Sequence, residues 1–130
     1  MPVMAFTPNL PAAARRHLEA AEELVTGTRQ DVAGYLYGIA AECAVKAMME
    51  NIPLVRRDEA FYAHFPELRT ILRDALQGRV ARPLSALIND DRFLNNWHVR
   101  MRYADSRQIL SDWVAAWSEQ ARRAVNAMGS

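Results

Sequence analysis

The sequence predicts an all-α fold, an up-and-down antiparallel bundle of four to five helices. Three observations carry that expectation. The first is Tyr35–Met49, a nearly unbroken apolar run in which Glu42 and Lys46 are the only charges. A helix that is apolar almost all round belongs at the centre of a bundle. The second is apolar spacing of three and four residues in the flanking segments. The third is that no segment alternates with period two, as a half-buried strand would, and there is no internal repeat.

The elements follow in order. Asn9 is a good N-cap, Pro11 is tolerated in a first turn, and Leu10, Ala14, Leu18, Ala21 and Val25 make one stripe. Gly27 stops that helix. Thr28 with Asp31 resembles a capping box and opens the second helix, which runs to about Glu50 before Pro53. Ile52 to Phe65 reads as a connection, with Phe61, Tyr62 and Phe65 able to pack down. A third helix is expected from Pro66 to Gly78. A fourth begins at Pro83 and bends at Asn89-Asp90-Asp91 before Phe93, Leu94 and Trp97. Asp105 and Gln108 are expected to cap the last helix, where Ile109, Trp113 and Trp117 form a stripe widened by Leu110, Val114, Ala121, Val125 and Met128.

The totals narrow the function. One hundred and thirty residues, 51% of them apolar, suit one globular domain. No apolar run approaches the ~20 residues of a membrane span. Met1–Phe6 lacks the basic region of a signal peptide. Cys43 is the lone cysteine, so no intramolecular disulfide forms and a cytoplasmic setting is expected. In mid-helix it reads as a small hydrophobe. Net charge is +1, which gives no global argument for nucleic acid. All basic residues but Lys46 are arginine, a bias that suits phosphate contacts but follows equally from codon usage. His17, His64 and His98 lie outside any metal-binding spacing, so neither metal nor cofactor is expected. Gly34 and Gly38, four apart on the second helix, are expected to allow close helix approach.

The polar cluster is Asn95–Asp105. It concentrates Trp97, His98, Arg100, Arg102 and Tyr103 just before the last helix. Arginines beside aromatics hold phosphates and stack bases. The structural alternative is that Trp97 and Tyr103 are core and Arg102 is the partner Glu42 needs, because an unpaired buried carboxylate is costly. The expected cluster is therefore Glu42, Lys46, Trp97, Arg100, Arg102 and Tyr103, as ligand site or as buried ion pair.

Two stretches carry a family resemblance. One is Ala12–Ala21, then Asp31-Val32-Ala33-Gly34-Tyr35, then Ala41–Ala47 with its Glu-x-x-x-Lys. The other is His64-Phe65-Pro66-Glu67-Leu68 followed later by Arg102-Tyr103-Ala104-Asp105. In this order the chain resembles the HEPN domains, small helical proteins named for nucleotide binding in higher eukaryotes and prokaryotes, over roughly residues 12–128. The resemblance implies an up-and-down bundle, often a homodimer, and partnership with a minimal nucleotidyltransferase in toxin–antitoxin pairs. Some such proteins are metal-independent ribonucleases with an arginine, four to six residues, then a histidine. Arg92 and His98 fit that spacing, although Phe93 stands where those enzymes carry a polar residue, and the pair precedes Arg102-Tyr103. Arg57 and His64 fit it too, in a loop-like region.

Residues six apart on a straight helix point about 240° apart. Arg92 and His98 would therefore meet only through a bend or across a dimer. There Arg92 would stabilise charge on phosphorus and His98 would move a proton or orient the phosphate. The expectation is a non-catalytic, dimeric HEPN-like domain that binds a nucleotide-type ligand or a nucleotidyltransferase-like partner. The alternative is a dimeric ribonuclease acting on RNA through Arg92 and His98.

Overall fold

The computed structural model describes residues 6–129, and among these the chain is all-helical with no strand. Most of the leading segment read for a signal peptide lies outside them. The α-helices are α1 (Leu10–Val25), α2 (Gln30–Met49), α3 (Asp58–Tyr62), α4 (Glu67–Leu76), α5 (Leu84–Ile88) and α6 (Ser111–Met128). Two 3₁₀ turns, Val99–Tyr103 and Ser106–Gln108, precede α6. No described helix is long and apolar enough to cross a membrane.

The core is built on α2, as its composition requires. Thirteen of its 20 residues are buried, so packing encloses it on nearly every side. It folds back on α1 through a short turn, and the Tyr37 hydroxyl donates to Glu22 at 2.8 Å. Ala14 and Ala21 are the fully buried residues of α1, and their small side chains let the two helices approach closely. From the 3₁₀ turn before α6 into α6 itself the contacts with α2 rise in step: Ser106 meets Asp31, and Val114 and Trp117 meet Gly34. Against α1 they run the other way, with Arg122 on Glu22 and Arg15 on the Gly129 carbonyl. So α6 runs alongside α2 and antiparallel to α1.

Of the two α2 glycines, Gly34 admits a helix, α6, as the sequence suggests, whereas Gly38 admits a side chain from a turn. A Cβ at Gly38 would occupy the place of the Trp97 indole, and one at Gly34 would press on Val114 and Trp117. Trp97 is buried at 2% exposure and stacks on Tyr35, with centroids 6.1 Å apart and planes 17° apart.

Several boundaries differ from expectation. The second helix opens at Gln30, not through a Thr28 capping box, because the Asp31 carboxylate is taken by Arg29 and Ser106. Residues 52–65 contain α3. The fourth helix ends at Ile88: Asp90 turns back to the Arg92 N–H at 3.0 Å, and Leu94 and Asn96 adopt left-handed backbone. The last helix starts at Ser111. Asp105 caps the 3₁₀ turn instead, accepting from the Arg107 N–H at 2.9 Å, and Leu110 is extended and exposed. Tyr103, which the structural alternative placed in the core, is 79% exposed. Tyr62 is exposed as well, whereas Phe65 is buried.

Arginine does much of the joining. On α4, Arg73 donates to the Ile88 carbonyl at 3.0 Å and pairs with Asp91, while Arg69 reaches the Phe93 carbonyl and lies over the Phe65 ring. These contacts tie α4 to α5 and to the turns that follow.

Candidate functional site

The six expected cluster residues separate into two groups. Glu42, 3% exposed, does not meet Arg102. Its carboxylate accepts the Phe65 N–H at 2.8 Å and contacts His64 Nδ1 at 2.7 Å, with Lys46 Nζ 3.7 Å away. A carboxylate only accepts, so His64 Nδ1 carries the proton in this contact. The expected pairing of Glu42 with Arg102 is thus corrected. Arg102 binds the Tyr35 hydroxyl at 3.3 Å, and Tyr35 lies two turns before Glu42 on the same face of α2. Seven residues are about 10 Å of helix, so a guanidinium placed at Tyr35 cannot also reach Glu42.

The second group keeps Trp97, Arg102 and Tyr103 together and adds Tyr35. Trp97 backs Tyr35, Tyr35 accepts from Arg102, and Arg102 lies over the Tyr103 ring at 5.2 Å. Arg100 shares their 3₁₀ turn and is exposed. Beside this chain opens a cleft of about 270 Å³, lined by Arg29, Asp31, Val32, Tyr35, Met101, Arg102, Ala104, Ser106 and Ile109. The Ser106 hydroxyl, bonded to the Asp31 carboxylate at 2.7 Å, holds that group below its ordinary pKa, and Arg29 adds to the effect. Arg29 is therefore partly neutralised. Arg102 has a hydroxyl and a ring as neighbours, and among the described residues no carboxylate pairs with it beside the cleft.

Arg92 and His98 share neither a hydrogen bond nor a cleft among the described residues. Arg92 lines a different cleft, along α6, and its Nε lies 3.4 Å from Asp90. His98 caps the 3₁₀ turn, where its Nδ1 accepts the Arg100 N–H at 3.0 Å. With that lone pair engaged, neutral His98 carries its proton on Nε2 and is a donor there, not a base. Burial, with Glu42 adding, pushes the Cys43 thiol up, which suits a small hydrophobe better than a nucleophile. Among the described residues, no group of three or more His, Cys, Asp or Glu side chains is placed to hold a metal.

Sequence reasoning missed His64 as the partner of Glu42 and Tyr35 as the centre of the aromatic chain. No spacing signals either contact, since 22 residues separate the first pair and 67 the second. The fold and its clefts define an all-helical protein with polar surface recesses. Comparison of the chain with protein-family models, curated proteins and solved structures finds no match.

Proposed function

We propose that the chain is a HEPN-like helical bundle domain without catalytic activity, which binds a nucleotide-type ligand by its phosphate in the cleft between the start of α2 and the 3₁₀ turns. The observation that carries this reading is Arg102, held by Tyr35 and Tyr103 and paired with no carboxylate among the described residues. A guanidinium so held suits a phosphate, and the exposed Tyr103 ring offers a face for stacking. Thermal-shift measurements with nucleoside mono-, di- and triphosphates test it, because only a ligand that binds the native state raises the melting point. Nucleotides are expected to raise it and parent nucleosides much less, with the gain lost in Arg102→Ala. Equal shifts in Arg102→Ala would reject the site.

The same reading places a homodimer or a nucleotidyltransferase-like partner on the surface beside the cleft, where Val32, Tyr103 and Leu110 are exposed. Light scattering that finds a monomer at high concentration would count against the homodimer. The second reading, a dimeric ribonuclease using Arg92 and His98, has one observation on its side: His98 keeps Nε2–H as a donor for phosphate. It requires RNA cleavage in EDTA that His98→Ala abolishes. Absence of cleavage, or cleavage unchanged in that variant, excludes it.

A further inference from the structure

Three charged side chains line the Arg102 cleft: Arg29, Asp31 and Arg102. Two of them cancel, because the Arg29 guanidinium lies 2.7 Å from the Asp31 carboxylate. The Ser106 hydroxyl donates to the same carboxylate at 2.7 Å. That bond foremost, with the Val32 N–H and Arg29 adding to it against the opposing effect of burial, holds the Asp31 carboxyl below its usual range. Asp31 is therefore charged at neutral pH. What remains is the single positive charge of Arg102, which has a hydroxyl and a ring against it. Asp31 and Tyr35 lie four apart on α2, one turn from each other on the same face. An anion taken by Arg102 beside Tyr35 thus has Asp31 for a neighbour. The proton of Ser106 is engaged by Asp31, so toward a ligand Ser106 offers lone pairs, as the carboxylate does. This end of the cleft takes hydroxyl or N–H donors and repels further negative charge.

We propose, on the phosphate-binding reading of this cleft, that Asp31 sets the ligand class: a nucleotide phosphodiester, which carries one negative charge, in preference to a phosphomonoester or a polyphosphate. A diester has one charge per phosphate, whereas a terminal monoester carries about −1.5 to −2 at neutral pH, and a triphosphate carries more. Each added charge meets Asp31, and the other arginine lining the cleft is already engaged by that carboxylate. The sugar hydroxyls beside a diester supply the donors that Asp31 and Ser106 accept.

The test is calorimetric titration in EDTA, which keeps magnesium from masking phosphate charge, with cyclic AMP, adenylyladenosine, AMP and ATP. Both diesters are expected to bind more tightly than AMP, and AMP more tightly than ATP, by about tenfold at each step. Whichever diester binds more tightly shows whether the source is a cyclic nucleotide or a link within a strand. Asp31→Asn keeps an oxygen for the Ser106 proton and removes the charge, so it should tighten ATP at least about tenfold more than it tightens cyclic AMP. The wild-type ranking decides the matter even if Asp31→Asn does not fold. If no nucleotide binds, or binding survives Arg102→Ala, the phosphate-binding reading fails and this inference falls with it. If nucleotides bind through Arg102 but ATP binds as tightly as cyclic AMP, or Asp31→Asn leaves their ratio unchanged, this inference alone is overturned.

Discussion

Glu42→Ala should destabilise the protein by about 3–5 kcal/mol in urea unfolding, whereas Arg102→Ala should change stability by less than about 0.5 kcal/mol. Glu42 is the α2 acceptor on which the Phe65 N–H and the His64 ring of the α3–α4 connection converge, with the Lys46 ammonium of α2 beside them. Removing it strands a buried N–H and a lysine that is 8% exposed. Breaking a buried pair from one side costs far more than the pair itself contributes. Glu42→Gln keeps an acceptor for Phe65 but leaves Lys46 charged and unpaired, so it should fall between wild type and Glu42→Ala. Equal losses in Glu42→Ala and Arg102→Ala would restore the expected Glu42–Arg102 pair and contradict the structure.

Gly38→Ala should cost about 3 kcal/mol, against the usual rule that alanine stabilises a helix over glycine by about 1 kcal/mol. The reason is steric. The new Cβ falls inside the Trp97 indole, and Trp97 is boxed in by Tyr35 and the core. Neither the helix backbone nor a buried indole yields easily in a close-packed interior. A double-mutant cycle in urea checks the cause. With Trp97→Leu in place, Gly38→Ala should lose most of its penalty. A full penalty in that background would place the strain elsewhere.

The fold class was legible because its signals are local. An apolar run with only two charges has to be enclosed, and Gly34 and Gly38 mark where α6 and Trp97 approach α2. Helix ends were less legible. Short acidic side chains can cap a turn as readily as a helix: Asp90 and Asp105 each closed a tight turn on an arginine N–H, and the helices stopped short or started late. The candidate site was half legible. Trp97, Arg102 and Tyr103 are neighbours in sequence and in space, but Tyr35 and His64 come from distant segments whose meeting depends on packing.

The proposed phosphate site is the one that Arg102 and Tyr35 present. Amide chemical-shift mapping of isotope-labelled protein titrated with ATP tests it most directly. Saturable perturbations centred on Arg29, Tyr35, Arg102 and Ser106, absent in Arg102→Ala, are the predicted result. No saturable perturbation at millimolar ATP, or a pattern centred on Glu42 and His64 that survives Arg102→Ala, would contradict it.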